Sequence, residues 1–394
     1  MKNEKAILYL LAMTNFCHVV DFMVLMPLGN ELMAAFQIHP REFSWLVASY
    51  SISAGLSNFL ASSYIDRFDR KKLVLTTLSL FALGTLCCAI ASNYYWFLLA
   101  RIITGMFGGL TGSVVIAIVS DLVPFERRGA AMGILSMAFA FASVLGVPIG
   151  LLVADLWGWQ TPFYLIAVLT IPVIVTLYRM LPHMDKYVAV NLKRNPISET
   201  VRILKDENAR MALLLAYTMI LGHFLVIPFI TPYAIRNVGM TQEAVKYIYL
   251  VGGAFTLITA PIVGRYADRL GHFNVFRVML LCSLFAIAAI TNLVNVPIWV
   301  IVIITTSFFI FTSGRMIPAQ TMMTGAVSPE IRGGFLSLRT ALIEFGAGSA
   351  SLISGWMVTE TADGKLMNYH QVGYLSIAVA FGTIWVASRV KKVE

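Results

Sequence analysis

Charge is scarce in this chain: Lys, Arg, Asp and Glu make up 12% of its 394 residues, where soluble domains carry about a quarter. Two or three soluble domains would fit the length, but their surfaces cannot be built from so little charge. Cysteine is scarce too. Cys17, Cys87, Cys88 and Cys282 stand in apolar runs without C-x-x-C spacing, which argues against a zinc or redox motif and leaves them as packing residues. No G-x-x-x-x-G-K-[ST] loop is present to support ATP hydrolysis, and no cluster of His and Glu ligands or nucleophile with its base marks an enzyme. No cofactor and no metal are expected.

What the chain has in abundance is apolar sequence, 58% of residues, with a mean hydropathy of +0.79. A bilayer core about 30 Å thick takes roughly 20 apolar residues per helix. Runs of that kind recur at 6–29, 42–64, 73–92, 95–120, 130–153, 161–181, 210–235, 243–265, 274–294, 297–321, 333–358 and 370–389. No small-residue cleavage site follows Met1–Lys5 and its apolar run, so the run is expected to stay as the first span. The expected fold is an all-α integral membrane protein, with twelve transmembrane helices in two six-helix bundles around a central cavity. Its parts are an N-terminal bundle over 1–181, a cytoplasmic linker over 182–209 and a C-terminal bundle over 210–394.

The 29 Lys and Arg exceed the 20 Asp and Glu, a formal net charge of +9, and their location decides what the excess means. Short loops rich in Lys and Arg remain in the cytoplasm. With both termini cytoplasmic, 23 of the 29 basic residues fall on that side, among them Arg67, Arg70, Lys71, Lys72, Arg127, Arg128, Arg265, Arg269 and Arg332. Arg41, Arg236, Lys246 and Lys365 fall outside, and Arg101 and Arg315 lie within spans. The excess is therefore a topology signal for a multi-pass protein of the plasma (inner) membrane, surrounded by lipid, with no nucleic-acid partner; a monomer is expected. In the linker, Ile197, Val201, Ile203 and Leu204 alternate with charge after Pro196 at near-helical spacing, which fits either a short surface helix or a solvated tether.

The halves repeat. Asp66-Arg67-Phe68-Asp69-Arg70 after the second span returns as Asp268-Arg269-Leu270-Gly271-His272 after the eighth, at an offset of 202. Glu126-Arg127-Arg128-Gly129 before the fifth span returns as Glu330-Ile331-Arg332-Gly333 before the eleventh, at an offset of 204. An even number of spans per repeat relates the halves by an axis along the membrane normal.

With its basic central loop and the D-R-x-x-R after the second span, the chain resembles the major facilitator superfamily of secondary transporters over essentially its whole length. The superfamily's loop signature is G-x-x-x-D-R-x-G-R-[RK], and here it runs from Ser62 to Lys71, with Ser62 and Asp69 in place of glycines. The second copy, Gly264 to His272, keeps both glycines and lacks the distal arginine. Arg101-Ile102-Ile103-Thr104-Gly105-Met106-Phe107-Gly108-Gly109 looks like the R-x-x-x-G-x-x-x-G motif of the twelve-span drug:proton antiporters, and Gly146-Val147-Pro148-Ile149-Gly150 is close to their G-P-x-x-G. The resemblance implies that Asp66 holds the cytoplasmic side closed against a helix end of the other half, that Arg70 pairs with Asp121, and that Asp268 and Arg269 repeat the device. It implies a gating kink at Gly146, Pro148 and Gly150; generic helix packing by these small residues is the competing role.

Ionisable groups inside spans are costly unless they face a cavity or a partner. Asp21 lies about two thirds along the first span, with His18 one turn earlier on the same face. Arg101, near the outer end of the fourth, has a similar depth. Burial and a neighbouring arginine act on a carboxyl in opposite senses, so opening and closing a cavity changes its proton affinity; Asp21, Arg101 and His18 are the proton-coupling candidates. A permanent structural ion pair is the competing role. His223 follows Asp21 by 202 residues. Arg315 and Glu344 lie at depths that differ by about 5–10 Å at 1.5 Å per residue, within the reach of an arginine side chain, and as a polar pair with His223 they are the substrate-binding candidates; a pair that serves only each other, and helix packing for His223, are the competing roles. Tyr50, Asn58, Phe139, Tyr217, Phe224, Tyr249 and Phe308 are candidates to line a cavity. The expected activity is proton-coupled efflux of small amphipathic molecules by alternating access; the alternative is an uptake carrier or facilitator for an organic anion or nutrient.

Overall fold

The computed structural model describes residues 4–61, 68–124, 127–182, 184, 196–328 and 331–391. Its helices are α1 (Glu4–Val24), α2 (Gly29–Phe36), α3 (Pro40–Ala61), α4 (Arg70–Ala89), α5 (Tyr94–Leu122), α6 (Arg128–Phe141), α7 (Val147–Trp157), α8 (Thr161–Met180), α9 (Pro196–Lys205), α10 (Glu207–Arg236), α11 (Val245–Leu270), α12 (His272–Thr291), α13 (Ile298–Gly325), α14 (Arg332–Met357) and α15 (Tyr369–Arg389). A short antiparallel pair, β1 (Thr359–Glu360) with β2 (Leu366–Met367), precedes α15. Helices are what such sequence must form in lipid, because every backbone donor and acceptor is then satisfied within its own segment.

Ten helical segments among the described residues are long and apolar enough to cross a membrane. Two more, α3 and α14, have the length without the composition. On α3 the polar residues are turned inward: Ser49, Ser51, Ser53, Ser57 and Asn58 are buried. Ser57 donates to the Met106 carbonyl at 2.9 Å and Ser113 to Asn58 Oδ1 at 2.8 Å, which joins α3 to α5. Interhelical bonds of this kind hold helices where lipid offers no hydrophobic drive.

The chain divides into two compact units, Met1–Leu25 with Ser49–Ile197, and Met26–Ala48 with Ser198–Glu394. In this division residues 26–48 group with the second unit, and the cut between Ile197 and Ser198 falls within the 182–209 segment. The cause is local packing. A Cβ on Gly29 of α2 would lie 3.1 Å from Pro232, Phe43 meets Phe229 edge-on at 6.0 Å, and Ser44 lies where a Cβ on Gly355 would stand. Of the linker, α9 is a helix whose Ile203 is fully buried in the second unit's core while Val201 and Leu204 are exposed. That core joins Leu213 and Met219 of α10 to Phe276 of α12, Met323 of α13 and Phe335 of α14.

Candidate functional site

In the first unit, three helices converge on one buried charge pair. Asp21 of α1 accepts from Arg101 Nη1 of α5 at 2.7 Å and from Thr85 Oγ1 of α4 at 3.2 Å, and neither charged side chain has any exposed surface. The Arg101 guanidinium lies 4.6 Å from the centroid of the Tyr50 ring, while the Tyr50 hydroxyl donates to the His18 carbonyl at 3.4 Å. The glycines of the R-x-x-x-G-x-x-x-G segment make this approach possible. A Cβ on Gly105 would collide with Ser53 Oγ and the Tyr50 backbone, one on Gly108 with the Tyr50 hydroxyl, and one on Gly109 would come within 2.8 Å of Ala54. The motif is thus a close-packing surface that sets Tyr50 over Arg101.

A second glycine pair packs against α1 at the residues flanking Asp21 in sequence. A Cβ on Gly146 would collide with Val20, and one on Gly150 would lie 2.8 Å from Val24. Between α6 and α7 the helix widens to a π-turn over Ala142–Gly146, just before Pro148. Proline has no N–H and its ring crowds the carbonyl four residues earlier, here that of Val144, which the wider turn relieves. His18 is half-buried, with Nε2 2.9 Å from Asn15 Oδ1, and its side chain makes no hydrogen bond or ion pair with Asp21 or Arg101 among the described residues.

At the start of α4, Arg70 Nε meets Asp121 Oδ2 at 3.1 Å. Asp69, which stands where the superfamily signature has glycine, caps α4: its side chain accepts from the Lys71 and Lys72 backbone N–H groups at 2.7 and 3.3 Å. Ser, Thr, Asp and Asn just before a helix start are the usual signal for such a cap. Asp66 and Arg67, like Glu126 and Glu330 of the other repeat, lie outside the described residues. In the second copy, Asp268 and Arg269 are exposed and enter no ion pair among the described residues, and Gly271 closes α11 at φ +89°.

In the second unit, Arg315 of α13 is 2% exposed. Its Nη1 donates to Ser283 Oγ of α12 at 3.2 Å and its Nη2 to the Met219 carbonyl of α10 at 3.5 Å. No ion pair among the described residues involves Arg315, so the partnership with Glu344 suggested by their depths is not formed. Depth along two helices does not fix the direction in which each side chain leaves its axis, and Arg315 leaves toward α10 and α12. Glu344 is half-buried on α14. His223, one turn from Met219, stacks on Phe308 with centroids 5.5 Å apart and planes 8° from parallel. Of the cavity-lining candidates, Tyr50, Asn58, Tyr249 and Phe308 are buried and Phe139 is exposed.

One cluster escaped the sequence. Arg236, at the end of α10, binds Asn30 of α2 and donates from Nη1 to Glu360 Oε1 at 2.8 Å, and Glu360 also lies 3.5 Å from His39 Nδ1. Asn30 and Glu360 lie 206 and 124 residues from Arg236 in the chain, so no local pattern betrays it.

The family model described as Major Facilitator Superfamily matches residues 11–314 and 212–393. The chain is similar to the MFS-type transporter YbcL of Bacillus subtilis, 23% identical over 95% of this chain and 93% of that protein. It is also similar to a probable sugar efflux transporter of Pasteurella multocida, 20% identical over 90% and 84%. Among solved structures, a bacterial homologue of the human lysosomal transporter Spinster superposes with a TM-score of 0.77 at 15% identity, over 100% of this chain and 99% of the other. A D-xylose-proton symporter superposes with a TM-score of 0.76 at 14% identity, over 98% and 99%.

Proposed function

The chain belongs to the Major Facilitator Superfamily, and we propose that it exports a small amphipathic molecule across the plasma (inner) membrane in exchange for entering protons. In this proposal α3 and α14 complete a set of twelve spans in two bundles, both termini are cytoplasmic, and the protein works as a monomer by alternating access. The observation that carries it is the Asp21–Arg101 pair, two opposite charges with no exposed surface in a membrane-spanning unit. Buried ion pairs contribute little net stability, because desolvation offsets their attraction. Charged groups at that depth more often serve a function.

The proposed cycle follows from the geometry. While Asp21 is ionised, Arg101 and Thr85 hold it and the packing of α1, α4 and α5 is closed. Protonation removes the charge that Arg101 neutralises, weakens the pair and permits α1 to shift; loss of the proton on the other side restores it. Val20 and Val24, seated on Gly146 and Gly150, carry that shift to the π-turn and Pro148. Arg70 with Asp121, and Asp66 with its neighbours, serve the cytoplasmic gate. The polar residues of the second unit, Arg315, His223 and Glu344, serve the substrate. Export is supported by similarity to proteins named as probable sugar efflux transporters, and proton use by the fold shared with a proton symporter.

The test is a proteoliposome assay against amphipathic cations, organic acids and sugars, with and without an imposed pH gradient. Accumulation that requires the gradient and runs opposite to it is the expected result. Substrate movement that ignores the gradient supports a facilitator, and movement along with protons supports uptake. Cysteines placed in the 182–209 loop are expected to react only from the cytoplasmic side, in keeping with the basic-residue asymmetry. Their labelling from outside would overturn the topology.

A further inference from the structure

The two units place a buried arginine among corresponding helices but complete the site differently. In the first, α1, α4 and α5 supply Asp21, Thr85 and Arg101. In the second, α10, α12 and α13 supply His223, Ser283 and Arg315; α12 begins 202 residues after α4, and His223 follows Asp21 by the same offset. The match is of helices rather than of residues, since Arg315 stands further along its helix than Arg101 does. A cation and a hydroxyl recur, and a histidine replaces the carboxylate.

The consequence is a buried cation without a counter-charge among the described residues. Arg315 is 2% exposed, directs its two Nη atoms to a serine hydroxyl and a carbonyl, and leaves Nε buried without a hydrogen-bond partner among those residues. His223 Nδ1 is likewise buried and unpartnered. Neutral acceptors do not replace an opposite charge in a low-dielectric interior. His223 is half-buried and therefore the more open member of the cluster, and its ring stacks on Phe308, which in turn meets Phe309 edge-on at 5.8 Å.

The geometry points to an anion site at Arg315, Ser283 and His223 that takes the carboxylate of an aromatic or similarly flat organic acid. The first unit shows the arrangement with the carboxylate present: Asp21 accepts from an arginine and a hydroxyl at once. In the second unit the carboxylate comes from the ligand, with Arg315 and Ser283 as donors and the stacked His223–Phe308 pair as a wall for its apolar body. A single guanidinium matches a single negative charge; a phosphate ester, with about −1.5 to −2 at neutral pH, calls for more. The assignment deepens the export proposal by naming the substrate class, and rests on it only in calling the anion a substrate.

The test is a calorimetric titration of the purified full-length protein in lipid nanodiscs with sodium benzoate, beside benzamide as the neutral isostere and sodium chloride as the inorganic anion. Saturable benzoate binding without a benzamide response is expected. Arg315→Met is expected to weaken it by roughly tenfold to a hundredfold, the range for hydrogen bonds to charged groups. His223→Glu is the second variant, and it keeps the test decisive should Arg315→Met fail to fold: it offers Arg315 a tethered carboxylate and is expected to fold and to lose the benzoate response. Wild-type benzoate affinity in either well-folded variant would overturn the site, as would the absence of any benzoate binding. Chloride binding as tightly as benzoate would overturn the carboxylate assignment. Since no pH gradient is applied, a failure here leaves proton coupling at Asp21 standing, and a failure of proton coupling leaves this result untouched.

Discussion

Among the described residues Arg101 and Arg315 head the largest fully buried side chains, and they are buried in opposite ways. Arg101 has a carboxylate at 2.7 Å and an aromatic face at 4.6 Å, while Arg315 has a serine hydroxyl and a carbonyl. The first unit thus balances its buried charge internally, and among the described residues the second does not. A site that is neutral at rest can respond to a proton, which breaks the balance. A site that is cationic at rest can respond to an anion, which restores it. The difference assigns coupling to the first unit and substrate recognition to the second within the proposed cycle.

The largest expected effect separates these two arginines directly. Arg101→Met leaves Asp21 buried and unpaired, which costs about 3–5 kcal/mol. Arg315→Met breaks no ion pair among the described residues and loses two hydrogen bonds, one of them long at 3.5 Å, so its cost is expected to stay below that of Arg101→Met, at about 1.5–3 kcal/mol. Denaturant unfolding of both variants in detergent micelles measures the pair of values. Equal losses would break the comparison, because they would mean that Arg315 is as fully compensated as Arg101.

The next effect concerns the glycines that seat the charge pair. Gly105→Ala puts a methyl group into Ser53 and the Tyr50 backbone and is expected to cost about 1–3 kcal/mol. Gly133→Ala, whose Cβ meets nothing within 4 Å on α6, should instead gain up to about 1 kcal/mol from helix propensity. Thermal melts of the two variants test this, and a Gly105→Ala as benign as Gly133→Ala would remove close packing as the motif's role.

The smallest effect compares the two loop copies. Asp69→Ala loses the cap on α4, worth about 1 kcal/mol. Asp268→Ala, on an exposed residue without an ion pair among the described residues, should change stability by less than about 0.5 kcal/mol. The same melts rank them, and an equal loss at both positions would show that the second copy is also a capping device.

The legibility of these features follows from how far their causes reach along the chain. Long apolar runs fix helices by themselves, so the helices were visible to within a few residues, ten of them long and apolar enough to cross a membrane among the described residues, and Asp21 and Arg101 stood out because charge is rare in such runs. The Arg70–Asp121 contact came from the resemblance, since nothing local joins residues 51 apart. Ser283 gave no signal: a serine in an apolar helix is ordinary until an arginine from another helix reaches it. The docking of residues 26–48 on α10 and α14 was hidden for a similar reason, because the segment reads as the end of one span and the start of the next. Asp69 was legible in principle as a capping residue before a helix start, at a position where the superfamily signature has a glycine, which has no side chain to cap with.

The central claim is that proton exchange at Asp21 drives the cycle, and Asp21→Asn tests it most directly, because the amide has the shape of the protonated carboxyl, with one acceptor oxygen and one donor group, but cannot take up and release a proton. The measurement is transport in proteoliposomes with and without an imposed pH gradient, on variant protein whose insertion and fold match the wild type. Loss of gradient-driven accumulation, with gradient-free exchange of substrate retained, is the predicted result. Accumulation at the wild-type level under the same gradient would contradict the account and move the proton site elsewhere, with Glu344 the next residue to neutralise.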